Sequence, residues 1–141
     1  MTQEIEEEIK AHIALGIILN EKGEVLIIQR IKEEKGAGEV TLNWAFPGGK
    51  IEEGEDSVST SIREVLEETG YSVSISNEIS GRKHPQFPVY VHYMAGVLLS
   101  STQLDYDQSE IKEVKWVKPE QLKDYFSTDF DEKVQDSLGI H

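Results

Sequence analysis

The residues of this chain best suited to chemistry are three carboxylates, Glu64, Glu67 and Glu68. On a helix, at roughly 100° per residue, positions i, i+3 and i+4 share one surface, so the three acids would be neighbours. Like charges at that spacing cost a helix about 0.2–0.5 kcal/mol per pair, and helix stability therefore does not account for them. A charge run is ordinarily a solvated face. Such a face would interleave lysines for i,i+4 pairing, whereas Arg63 is the only basic residue between positions 57 and 69. Clustered carboxylate oxygens are the donors that a hard cation such as Mg2+ or Mn2+ prefers, and Mg2+ usually keeps waters and shares itself with substrate phosphates. The pattern reads as an open metal site.

The element that must carry these acids is marked on both sides. Asp56 suits an N-cap, Val58, Ile62, Val65 and Leu66 recur at helical spacing, and Gly70 stands where a helix ends in a left-handed residue. The spacing predicts an amphipathic helix over 57–69, with its apolar set on one face and the glutamates on the opposite side. Upstream, Phe46-Pro47-Gly48-Gly49-Lys50 follows a short apolar stretch. Paired glycines let a backbone turn tightly and approach a ligand or a metal, although Pro47-Gly48-Gly49 alone would be an ordinary turn.

Taken together, Gly49, Glu55, Arg63-Glu64-Val65, Glu67-Glu68, Gly70 and Tyr71 fill every fixed position of the pattern Gly-x5-Glu-x7-Arg-Glu-aliphatic-x-Glu-Glu-x-Gly-hydrophobic, the last slot being aromatic. On this stretch, about a sixth of the chain, the sequence resembles the Nudix hydrolases. These enzymes cleave a nucleoside diphosphate linked to another group, using magnesium or a related divalent ion. The resemblance implies an α/β/α sandwich with a mixed β-sheet. It implies an inner metal site of Glu64, Glu67 and Glu68 with the carbonyl of Gly49, and Arg63 orienting the carboxylates while Glu55 braces loop and helix. The general base differs among members. Glu64, Glu67 and Glu110 are the candidates, and spacing does not choose between them. Glu110 lies in Asp105–Ile111, just before a strand, where many Nudix hydrolases carry an extra acid.

Composition sets outer limits. A chain of 141 residues predicts a single domain over 1–141. The absence of cysteine excludes disulfides, thiolate catalysis and zinc–thiolate sites. The longest apolar run, Ile13 to Leu19, is too short to cross a bilayer, and Met1 to Lys10 is acidic where a secretory signal would be basic, which predicts a soluble cytoplasmic protein. A formal net charge of −13 argues against nucleic acid polymers as partners. A small nucleotide remains compatible, because bound cations invert the local field. Monomer and homodimer both stay open.

Residues 11–19 and 24–30 read as strands joined by a hairpin at Asn20–Gly23, and Ile31 to Thr41 as a candidate mobile loop. Residues 72–80, 88–99 and Ile111 to Val117 read as further strands. Pro119 opens a short helix ending near Tyr125, and Asp129 to Leu138 predicts another. Strands with a central helix and terminal helices suggest a mixed sheet between helical layers. For substrate binding, Trp44 and Phe46 could stack on a base or pack in the core. Arg30 could hold a phosphate or lie on the surface, and Lys50 belongs to the glycine loop. Arg82, Lys83 and His84 concentrate positive charge in a loop before Pro85. Substrate choice would be set by segments 31–43, 82–88 and 101–110.

The function these features predict is metal-dependent hydrolysis of a nucleoside diphosphate derivative, foremost as a nucleoside triphosphate pyrophosphohydrolase. ADP-ribose or nucleotide-sugar pyrophosphatase activity is the alternative within the family. Outside it stand a non-catalytic nucleotide-binding module and an acidic interaction or metal-buffering surface centred on Met1 to Lys10.

Overall fold

Ile17 and Ile18 are neighbours on one strand, yet both are buried and each joins a different core cluster. Successive strand residues point to opposite faces, so this strand is covered on both sides and the protein is layered about it. The computed structural model describes residues 8–34, 39–85, 87–127 and 130–140. The strands are β1 (Ala11–Leu19), β2 (Val25–Glu34), β3 (Glu39–Ala45), β4 (Gly48–Lys50), β5 (Val73–Lys83), β6 (Val89–Leu98) and β7 (Ile111–Val117). They form one mixed sheet of order β3-β2-β1-β6-β5, with β4 paired to β1 and β7 to β2. Among the described residues, only the β1–β6 pairing is parallel.

Helix α1 (Ser57–Thr69) covers one face, where Val65 packs with Ile18, Leu26 and Val73. The short helices α2 (Leu122–Tyr125) and α3 (Glu132–Ser137) cover the other, where Leu122 and Val134 pack with Ile17, Ile27, Phe46 and Tyr93. This is the α/β/α arrangement. No helix among the described residues is long and apolar enough to cross a membrane.

Strands β1 and β2 leave a connection at 20–24 in which the Asn20 side chain accepts from the amides of Lys22 and Glu24. Their direct pairing is limited to Leu19 with Val25. Beyond that point β1 pairs with β4 at Ile13–Leu15, and β2 takes β7 and β3 as neighbours. The glycine loop is thus a short strand seated on β1. Ile31 to Thr41 is not a loop throughout: β2 runs on to Glu34 and β3 begins at Glu39, while positions 35–38 lie outside the described residues. The period-two signal was hidden there by charged strand residues. Arg82 and Lys83 likewise end β5 rather than standing in a loop. Asp129 and residues 1–7 lie outside the described residues, and α3 starts at Glu132 behind an Asp131 cap.

Candidate active site

The site is built on α1, whose ends follow from local chemistry. Asp56 accepts from the amide of Ser59, and the Ser59 hydroxyl accepts in turn from the Asp56 amide. At the other end Gly70 has φ 77°, and a Cβ there would also fall 2.0 Å from the carbonyl oxygen of Leu104, so only glycine fits. The segment after β6 closes this end. The Gln103 side chain donates to the Thr69 carbonyl and the Asp107 amide to that of Glu67.

The face α1 buries differs from the one its apolar pattern suggests. Thr60, Ser61, Val65, Glu68 and Thr69 are buried, whereas Val58, Ile62 and Leu66 are 37–40% exposed. Small hydroxylated side chains bring the helix close to the sheet because they satisfy themselves. Ser61 donates to the Ser57 carbonyl and Thr69 to that of Val65. The glutamates consequently fan round one flank. Glu68 is 3% exposed, Glu64 is half-buried and Glu67 is open to solvent.

Glu68 accepts from the Gly48 amide at 2.7 Å and from Arg30 Nη1 at 2.5 Å, while Arg30 Nη2 donates to the Gly48 carbonyl at 3.3 Å. Burial pushes its proton affinity above the ordinary carboxylate range, against the pull of Arg30 and the Gly48 amide. Glu64 is raised too, again chiefly by burial and against the pull of Arg63. Its carboxylate lies so near Gly49 that a Cβ there would sit 2.6 Å from Glu64 Cδ. Arg63 binds Glu55 through Nε at 2.7 Å and Nη2 at 2.9 Å, and turns Nη1 to Glu64 at 2.9 Å and Glu67 at 3.2 Å. This doubly bound arginine lowers Glu55 to about 2.

The flank therefore presents hard oxygen donors beside a backbone approachable at Gly49, a donor set that fits a hard divalent cation. Among the described residues, no three acid or imidazole groups already converge as a finished cage. Arg63 gathers Glu64 and Glu67 on its Nη1, while Glu68 is engaged separately by Arg30.

Of the other positions singled out in the sequence, Glu110 is exposed. Its backbone carbonyl accepts from the Ile31 amide, which sets it beside Arg30 on β2. Lys50 is exposed on β4. Arg30 is engaged with Glu68. Phe46 is buried against Phe126 and Phe130, and Trp44 meets the Tyr125 ring edge-on at 5.0 Å. On the sheet face opposite α1, a cavity of about 330 Å3 is lined by Trp44, Phe46, Arg82, His84, Tyr93 and Phe126, among others. Arg82 Nε donates to the Tyr93 hydroxyl at 3.4 Å and lies 3.8 Å from Asp131. Tyr93, Phe126, Phe130 and Asp131 escaped the sequence reading. The aromatic run Tyr125-Phe126 with Phe130 was the available signal.

The profile of the NUDIX domain matches residues 10–137. The chain belongs to the Nudix family. This Nudix hydrolase, of the class that cleaves phosphoanhydride bonds, is 33% identical over 109 residues to a Bacillus subtilis protein provisionally named an 8-oxo-dGTP diphosphatase, covering 77% of this chain and 67% of that one. It is 43% identical over 61 residues to an Escherichia coli 8-oxo-dGTP diphosphatase, covering 43% and 44%. The MutT protein of Methanosarcina mazei has the same fold, with a TM-score of 0.65 over 95% of this chain and 94% of that one at 23% identity. Several longer relatives, among them plant and frog proteins, are matched over only 28–37% of their length. Nudix hydrolases act on small nucleotides and generally use divalent metals.

Proposed function

We propose that this Nudix hydrolase cleaves a purine nucleoside triphosphate to the monophosphate and pyrophosphate, with Mg2+ as its cation and 8-oxo-dGTP as the first substrate to test. One observation carries the reading. Trp44 and Phe46, two walls of the aromatic cavity, run directly into Gly48 and Gly49, which face Glu68 and Glu64. A base held among those rings would leave its phosphates to follow the chain toward the acids. At about 330 Å3 the cavity is of the size small-molecule sites begin at. A wider cleft of about 630 Å3, between residues 20–24, 98–101 and Trp116, contains no residue of the glycine loop or acidic helix. The relatives named as 8-oxo-dGTP diphosphatases support the choice of base.

In this proposal Glu64, Glu67 and Glu68 with the Gly49 carbonyl hold the cation. When bound, it neutralises charge on the phosphate oxygens and acidifies water. Arg63 keeps Glu64 and Glu67 turned to one side, with Glu55 anchoring the guanidinium. Glu68 fixes the glycine loop against the helix. Arg30, on the same carboxylate, is placed to exchange that partner for a phosphate. The base that takes the water proton is Glu64, Glu67 or Glu110.

The test is product analysis with 8-oxo-dGTP, unmodified triphosphates, ADP-ribose and nucleotide sugars, with and without Mg2+, alongside Glu67→Gln. Magnesium-dependent release of pyrophosphate from triphosphates, lost in Glu67→Gln, is the expected result. Cleavage confined to ADP-ribose or sugar nucleotides overturns the substrate assignment. Binding without any cleavage overturns the enzyme.

A further inference from the structure

Away from the acidic flank, three polar side chains form a chain across β1, β6 and β5. His12 Nδ1 lies 3.0 Å from His92 Nε2, and His92 Nδ1 lies 2.5 Å from Glu78 Oε1. The two imidazoles are near-parallel, with centroids 5.3 Å apart, and Tyr90 packs against both. The arrangement comes from the parallel pairing of β1 with β6, in which Tyr90 opposes His12 and His92 opposes Ala14. Side chains two apart share a face. None of these residues falls in the segment from Gly49 to Tyr71 or lines the aromatic cavity.

We propose that His12 and His92 form a second cation site, selective for a borderline transition ion such as Zn2+ or Ni2+, with Glu78 as its orienting residue. A carboxylate only accepts, so His92 must donate from Nδ1 to Glu78, which commits its Nε2 to the side facing His12. A proton now lies between the two facing nitrogens. An ion replacing it at about 2.0–2.1 Å from each nitrogen would need them about 3.3 Å apart at a tetrahedral angle, a few tenths of an ångström more than the present spacing. His12 is exposed and can carry its remaining proton on Nε2. A metal-bound histidine whose other nitrogen donates to a carboxylate is the usual way such ligands are oriented and made more basic.

The donor chemistry separates this pair from the acidic flank. Imidazole suits Zn2+, Ni2+ and Cu2+, whereas carboxylate and carbonyl oxygens suit Mg2+. With two protein nitrogens the site leaves its remaining positions to water, in keeping with the absence of a three-ligand cage among the described residues. It is also tied to the glycine loop, because the Ile51 amide donates to the His12 carbonyl at 2.9 Å and Ile13 pairs with Lys50.

The experiment is calorimetric titration of the full chain with Zn2+ in excess Mg2+, with the imidazole nitrogens followed by NMR. The expected result is one Zn2+ that Mg2+ does not displace, with the His12 and His92 rings shifting together. His92→Gln should abolish this binding, and Glu78→Gln should weaken it by roughly 10–100-fold. His12→Gln, at an exposed position, gives the same loss in a variant whose fold circular dichroism can check. Zn2+ binding that survives His12→Gln, or that Mg2+ displaces, overturns the site.

Discussion

Glu68 accepts a 2.7 Å hydrogen bond from the amide of Gly48, which ties the acid-bearing helix to the glycine loop. Its second oxygen faces Arg30, which opposes the rise in proton affinity that burial imposes. A carboxyl group whose pKa is raised by folding favours the folded state below its unfolded pKa and loses that contribution as pH rises through the folded value. Burial has this effect on Glu68, and Arg30 limits it. In metal-free Arg30→Met the loss should steepen, leaving the variant about 1–2 kcal/mol less stable than wild type at neutral pH. The gap should close as pH falls and Glu68 protonates in both proteins. Thermal melts in chelator across that range measure it, and a gap independent of pH would remove Glu68 as the cause.

Glu55 has the opposite sign. Arg63 lowers it from 4.5 to about 2, so its contribution is present above 4.5 and lost as pH falls from there through about 2. Glu55→Gln should flatten that stretch of the acid-unfolding curve, read by circular dichroism. It should also lower turnover at neutral pH, because Arg63 loses the partner that fixes its Nε and Nη2.

The helix over 57–69 and its caps at Asp56 and Gly70 were legible because they depend on neighbours in sequence. Its buried face was not. Ser61 and Thr69 enter the interior by bonding to carbonyls four residues back, and Glu68 by finding Gly48 and Arg30 from distant segments. No apolar period records such solutions. The aromatic cavity was equally hidden, since Tyr93, Phe126 and Phe130 meet only through the sheet and the C-terminal helices. The corrected face makes a direct prediction. Val65→Ala, in the core, should cost about 2 kcal/mol, whereas Leu66→Ala next to it should cost under about 1 kcal/mol. Denaturant titration of the two variants decides it, and equal losses would restore the simple amphipathic reading.

Gly49 tests the metal assignment from the backbone side. A Cβ there would meet Glu64 Cδ at 2.6 Å, so Gly49→Ala must push that carboxylate away. The Mg2+ concentration for half-maximal activity should rise by roughly 10–100-fold, the range seen when ligand-orienting contacts are disturbed. Unfolding in chelator should shift little, since Glu64 is only half-buried. An unchanged magnesium requirement would take Glu64 and the Gly49 carbonyl out of the inner site.

Arg82 separates base recognition from phosphate chemistry. It lines the aromatic cavity, donates to Tyr93 and stands 3.8 Å from Asp131, which caps α3 by accepting from the Lys133 and Val134 amides. If it holds the base, Arg82→Met removes binding that is equal in the ground state and the transition state. KM should then rise about tenfold with kcat nearly constant, the value of about one charge-assisted hydrogen bond. The rise should be unequal between 8-oxo-dGTP and dGTP, because a donor in the base pocket senses the oxidised edge. A fall in kcat shared by every triphosphate would mean instead that Arg82 reaches the phosphates, and the cavity between Trp44 and Phe126 would lose its assignment as the base site.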